Sequence, residues 1–236
     1  MKKNLLIIAA LLLVAGMVQA DTITQTNTFT GTPNYTSYLA FNQFNTLGGI
    51  RTLTGVNVSI FLLTEAQGRV GVDNDGASPA SGTVTMGTSL NVIKHTGTNN
   101  PLILDENGET LSAIYSTTSK DMSLTADDGD GATYSTVGTD YDVMNVAESQ
   151  SSTSIIIGSD YWAKYIGADT FVFDATVAQS TDFSSFGGSQ VQMDPMSARG
   201  NVVVSYDYTV IPEPATAPLM ALVALVGFWI RRRFMA

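Results

Sequence analysis

The sequence predicts an all-β protein: a single β-sandwich, jelly-roll or immunoglobulin-like, between an N-terminal signal peptide and one C-terminal transmembrane helix. Three observations predict it. Apolar residues within residues 21–209 recur with a period of two, the spacing of strands that bury one face. Turn-forming pairs punctuate that interval at Leu47-Gly48-Gly49, Asp75-Gly76, Asn107-Gly108, Asp130-Gly131 and Gly187-Gly188. The long charge-free apolar runs lie at the two ends.

Taken in order, residues 1–20 read as a secretory signal. Lys2 and Lys3 precede an apolar run from Leu5 to Val18, and Val18-Gln19-Ala20 offers the small residues that a signal peptidase reads, so the mature chain is expected to begin with cleavage between Ala20 and Asp21. The body, residues 21–209, opens on a candidate strand at Thr22 to Phe29. A stronger one follows, where Val56, Val58, Ile60 and Leu62 alternate with Asn57, Ser59 and Phe61. Weaker candidates are Gly82 to Leu90, Leu102 to Asp105, Met122 to Ala126 and Ser154 to Ile157. Tyr141 to Ser149 is expected as a short helix. Phe171, Phe173, Ala175 and Val177 form one face of another strand, and Val202, Val204, Tyr206, Tyr208 and Val210 one face of the last.

The tail, residues 210–236, is governed by proline. Pro212, Pro214 and Pro218 fix φ and donate no hydrogen bond, so Val210 to Ala217 is expected to be an extended, protease-accessible spacer. Pro218 suits the first turn of a helix that carries Leu219, Leu222, Leu225, Phe228, Trp229 and Ile230. At about 1.5 Å per residue the stretch from Pro218 to Ile230 reaches roughly 20 Å, against a hydrocarbon core of about 30 Å. Snorkelling of Arg231, Arg232 and Arg233 and local thinning of the bilayer make up the difference. The three arginines belong on the cytoplasmic side, which puts Ile211-Pro212-Glu213-Pro214 on the opposite face of the membrane.

Composition limits the function classes. Nearly half of the 11 basic residues lie in the two end segments, leaving the body with twenty acidic residues against six basic ones. So anionic a surface repels phosphate backbones, which excludes nucleic acid as a partner and favours divalent cations or neutral polymers. The absence of cysteine excludes disulfides and thiolate chemistry.

The tail resembles the PEP-CTERM sorting signal, also called the ice-binding protein C-terminal domain: a Val-Pro-Glu-Pro-like motif, an apolar span and a basic cluster. Isoleucine stands at 211 in place of valine. The resemblance implies recognition by an exosortase, a membrane peptidase or transpeptidase, with loss of the hydrophobic tail and delivery to the cell surface or extracellular matrix, where exopolysaccharide is an associated material. In the body, Phe41-Asn42-Gln43-Phe44-Asn45 with Leu47-Gly48-Gly49 and Leu53 to Ile60 is similar to the opening of the choice-of-anchor E domain. Tyr165-Ile166-Gly167, Thr170 to Phe173 and Gly200 to Thr209 are similar to its closing part. This second resemblance implies a secreted β-rich module without an assigned activity.

Catalytic candidates are few, and the body reads as non-enzymatic. His95 is the only histidine and no Gly-x-Ser-x-Gly elbow accompanies it, so a solvated loop residue is the expectation. Glu65, Glu106, Glu109 and Glu148 could supply the carboxylate pair of a carbohydrate-active hydrolase, the alternative class, but charged side chains are mostly solvated. Tyr35, Tyr38, Tyr141, Tyr161, Trp162 and Tyr165 offer flat surfaces to sugar rings or fill the core. No cofactor is required. Calcium is the one ion with a pattern: Asp73 and Asp75 beside Gly76, and Asp127, Asp128 and Asp130 beside Gly129 and Gly131, gather oxygen donors around flexible backbone. Neither segment completes an EF-hand loop, and Asp-Gly turn chemistry explains both without an ion. Asp140-Tyr141-Asp142 is a further acidic segment whose place relative to them the sequence does not fix.

Overall fold

A computed structural model describes residues 19–130, 133–184 and 186–211. The signal segment up to Val18 and the tail from Pro212 onward, with its sorting motif, helix and arginines, lie outside the described residues. The described chain is all-β, and every pairing between its strands is antiparallel. Its strands are β1 (Gln19–Gly31), β2 (Tyr35–Asn42), β3 (Arg51–Thr64), β4 (Arg69–Asn74), β5 (Ala80–Lys94), β6 (Ile114–Leu124), β7 (Tyr141–Asn145), β8 (Ser149–Ile156), β9 (Thr170–Phe183), β10 (Ser189–Asp194) and β11 (Ala198–Val210). Two short 3-10 turns, Leu47–Gly49 and Ser159–Lys164, punctuate them.

Two four-stranded sheets are ordered β1-β11-β3-β8 and β2-β9-β5-β6, and a three-stranded sheet β10-β4-β7 completes the fold. The small sheet continues the first one, because the same three stretches of chain run through both. β3 leads into β4, β7 into β8 and β10 into β11, and all three break at the same level, at residues 65–68, 146–148 and 195–197. Pro195, which cannot donate to a ladder, lies in one of these breaks. Backbone bonds from Glu65 N to Ser197 O and from Val146 N to Gly68 O hold the broken level together. Layered antiparallel sheets with a core between them are consistent with a β-sandwich.

The alternation seen in the sequence is the alternation of burial. Val56, Val58, Ile60 and Leu62 of β3 and Val202, Val204, Tyr206 and Tyr208 of β11 meet Leu39, Phe41, Phe171, Phe173, Ala175 and Val177 of the opposite sheet in a large core. A second, smaller core lies between the small sheet and the ends of β5 and β6, built from Val70, Val72, Met144, Val84, Met86, Met122 and Leu124. Between the two cores sits a belt of buried hydroxyls, Thr64, Thr88 and Ser116. Thr64 Oγ1 lies 2.5 Å from Thr88 Oγ1 and donates to the Ser116 carbonyl at 2.8 Å, so the belt is polar but satisfied.

Two expectations are corrected. Tyr141 to Ser149 is not a helix: its first five residues are β7, paired with β4 from Asp73↔Tyr141 to Arg69↔Asn145, and Ser149 opens β8. Burial of Met144 against β4 outweighs the weak local helical spacing. Leu102 to Asp105 is not a strand either. Ile103 is buried, but the segment makes a single bridge, Leu104↔Thr110, closing a tight turn on Asp105 and Gly108.

Candidate functional site

The acidic segments converge at the far end of the small sheet. β4 ends in Asp73-Asn74, and the ladder is prolonged past β7 by a bond from Asn74 N to the Asp140 carbonyl at 3.0 Å. The connection from β6 back to β7 folds over this end. Asp127 N bonds to Gly76 O, Thr125 N to Thr139 O, and the Asn74 side chain donates to Thr125 O and Ser78 O. Asp128 N donates to Asp140 Oδ2 at 2.9 Å, and Ser135 N to Asp73 Oδ2 at 2.6 Å.

Carboxylate oxygens of Asp127, Asp128, Asp130 and Asp140 thereby come within 4.8 Å of one another. Gly138 permits this. Its φ of +131° is one that side chains rarely adopt, and a Cβ there would run into Asp140 Oδ1 and lie 2.6 Å from Asp128 Oδ2. Asp140 and Asp73 are both fully buried, and in each the Oδ1 oxygen has no hydrogen-bond partner. Burial pushes the Asp73 carboxyl above its ordinary range, and the neighbouring charges of Asp130, Asp140 and Asp75 add to that push against the Ser135 amide. The ion pairs among the described residues join Arg69 to Asp194, Lys120 to Asp142, Arg199 to Glu65 and His95 to Asp174, so none compensates the cluster.

Of the five aspartates expected to ligate calcium, Asp127, Asp128 and Asp130 come together, Asp73 lies close beside them, and Asp75 is outside the four-oxygen group. Asp140 is the residue that sequence reasoning left unplaced. Only the β4–β7 pairing brings it to the site. Its neighbour Asp142 points its charge elsewhere, to Lys120 Nζ at 2.6 Å.

The other candidates disperse. His95 lies in the loop after β5, partly exposed as expected, and is in addition held by Asp174 through Nδ1 at 2.7 Å, with the Tyr38 ring edge-on at 5.2 Å. No hydroxyl among the described hydrogen bonds reaches its ring. Glu65 lies between β3 and β4, Glu106 and Glu109 in the turn that follows Asp105, and Glu148 between β7 and β8. Tyr165 is core, stacked edge-on to Phe171 at 5.3 Å with its hydroxyl donating to Leu102 O. Trp162 donates Nε1–H to Ile157 O and lines an open groove of about 660 Å3 with Asp105, Glu106, Ser154 and Ile156. Asp105 accepts from the amides of Asn107 and Glu109, and these bonds hold its carboxyl below the usual range. It is an ionised turn cap, the opposite of the raised pKa that a general acid needs.

At the other end, Ala20 and Asp21 belong to β1, opposite Thr209 and Tyr208. Asp21 Oδ2 accepts from the Tyr208 hydroxyl at 2.9 Å, and Arg51 sits over the Tyr208 ring at 4.9 Å. Ile211, the first residue of the expected sorting motif, donates its amide to Ile50 O. Among the described residues no helix is long and apolar enough to cross a membrane.

No family model matches the chain, and no curated protein matches it. Among solved structures it is similar to chains of infectious bursal disease virus. Against the Gx strain the identity is 11% and the TM-score 0.19, covering 94% of this chain and 52% of that one. Against the VP2 subviral particle the identity is 14% and the TM-score 0.14, covering 92% and 50%. This chain thus spans about half the length of those chains, and at such scores the likeness carries no argument.

Proposed function

We propose that this chain is an exported bacterial surface or extracellular-matrix protein, non-enzymatic, held transiently in the inner membrane by its C-terminal helix and cut by an exosortase at Ile211-Pro212-Glu213-Pro214. The observation that carries the reading is the pairing of β1 with β11 along their whole length, from Gln19↔Val210 to Gly31↔Ala198. The points where the two apolar end segments join the body are therefore neighbours at one pole. Leu47, Ile50 and Ile211 are large apolar side chains exposed at the same pole, where the Ile211 amide meets Ile50. The Pro-Glu-Pro triplet begins one residue past that last backbone bond. Prolines donate nothing that could extend the ladder, which supports a motif that a peptidase can reach.

The same pairing orders the processing steps. β1 has its ladder partner at the end of the body, so Ala20-Asp21 stays unpaired until nearly the whole chain has crossed the membrane. Signal peptidase thus acts before the sandwich closes. The strand order supports the finer fold as well. Counting only the eight strands of the two larger sheets, the orders are 1-8-3-6 and 2-7-4-5, which favours the two Greek keys of a jelly roll over the immunoglobulin-like alternative.

Mass spectrometry of the protein recovered from the cell surface tests this. A C-terminus close to Pro214 is expected, and an intact terminus at Ala236 would refute processing. A second reading, a carbohydrate-binding module with exopolysaccharide as its ligand, rests on the Trp162 groove with its two acidic neighbours. Trp162→Ala should then abolish retention on a polysaccharide column while leaving the mature mass unchanged.

A further inference from the structure

The four-carboxylate cluster has properties that a solvated acidic loop lacks. Two of its neighbourhood's carboxylates, Asp140 and Asp73, are wholly buried, and each presents an oxygen that no donor meets. A buried anion without a donor is costly unless it is neutralised or ligated. Asp140 belongs to the four-oxygen group, and its unpartnered Oδ1 lies with Asp128 Oδ2 around the open space beside Gly138, so the orphaned oxygen is aimed into the cluster. No lysine or arginine supplies it among the described ion pairs.

We propose that Asp127, Asp128, Asp130 and Asp140 bind one calcium ion, and that the ion fastens the 125–140 connection to the end of β4. The geometry suits this ion. Two oxygens on opposite sides of a calcium at about 2.3–2.6 Å are about 4.6–5.2 Å apart, and those of the cluster are no more than 4.8 Å apart. All four ligands are hard carboxylate oxygens, which disfavours zinc and copper; the only histidine is committed to Asp174. Asp128 is held to Asp140 through its amide, and the glycine at 138 keeps the space between their carboxylates open. Three ligands come from the loop and the fourth from the residue that enters β7, so one ion ties the irregular segment to the sheet. With two ligands exposed and the loop irregular, affinity is expected in the range of extracellular modules, a Kd of about 10⁻⁴–10⁻³ M. That range matches an exported protein that meets millimolar calcium only after leaving the cell.

The test uses the full-length chain in detergent after treatment with chelator. Calorimetric titration with calcium chloride should give a one-site isotherm, and calcium at about 100-fold over Kd should raise Tm by roughly 5–10 °C. Asp140→Asn and Asp128→Asn should each weaken binding at least tenfold, while Asp121→Asn, on the exposed face of β6, should leave it unchanged. In chelator the Asp140→Asn chain should melt at or above the wild-type temperature, which separates lost binding from lost fold. An absent heat and an unmoved Tm at 10 mM calcium would overturn the site. So would an isotherm that Asp140→Asn leaves intact, and a magnesium response equal to that of calcium would overturn the ion's identity.

Discussion

Replacing Thr64 by valine should harm the fold far more than the same change at Thr88, although the two hydroxyls are in contact. Both are fully buried in the belt between the cores, and valine keeps the shape and the β-branching of threonine. The difference lies in the direction of the bonds. Thr64 has one hydroxyl proton and gives it to the Ser116 carbonyl, so the 2.5 Å contact must be Thr88 donating to Thr64. Thr88→Val removes one neutral bond and strands nothing that must donate, a cost of about 1 kcal/mol. Thr64→Val removes both bonds and leaves the Thr88 hydroxyl without an acceptor in a dry layer, a cost of about 2–4 kcal/mol. In the double variant that stranded hydroxyl is gone. Its cost should equal or fall below that of Thr64→Val alone, a departure from additivity of about 1–2 kcal/mol. Urea unfolding at fixed calcium, with the m-value unchanged across the four proteins, measures each quantity. Equal single costs that add in the double variant would refute the assigned bond directions.

Tyr165→Phe keeps the ring against Phe171 and deletes the bond to Leu102 O, so thermal melting should show a fall of about 1–2 kcal/mol in stability, or roughly 2–8 °C. Gly138→Ala adds strain and fills the space between two carboxylates, so it should lower the calcium-free Tm by a few degrees and abolish the further rise on adding calcium. Asp21 and Asp105 are both held below the ordinary carboxyl range, chiefly by backbone amides. The stability they contribute is present above the unfolded value near 3.8 and is lost as pH falls through their lower folded values. A melting profile taken from pH 5 to 2 should lose part of its acid slope in Asp105→Ala, and an unaltered slope would contradict the turn-cap role.

What could be read in advance followed burial. β3, β9 and β11 alternate apolar and polar residues and face a deep core on one side only, so their period of two is visible without a structure. β4 was missed because residues 70–74 are all buried, which erases the alternation. The first half of β6 was missed for a different reason. Its inward positions include Ser116, part of the hydroxyl belt, so a strand with a buried face reads as polar. β7 was mistaken for a helix because five residues carry too little pattern to reveal a partner some seventy positions away. The carboxylate cluster is half legible for the same reason: Asp127, Asp128 and Asp130 are local, whereas Asp140 arrives through long-range pairing.

The two functional readings occupy opposite ends of one molecule. β3 starts at Arg51, opposite Val210, and carries the chain about 45 Å before β4 continues away from that pole to the acidic cluster. The pole beside the tail exposes Leu47, Ile50 and Ile211, with the charges of Arg51 and Asp21 offsetting each other beside Tyr208, so what it offers an anionic membrane surface is apolar contact. The opposite pole concentrates carboxylates, which such a surface would repel. An anchored chain would therefore stand with its cation site directed away from the bilayer and keep that site in solution after the tail is cut. Calcium binding and sorting are then separable: Asp140→Asn should be processed at the same position as the wild type, and a chain altered at Pro212 or Pro214 should still bind calcium.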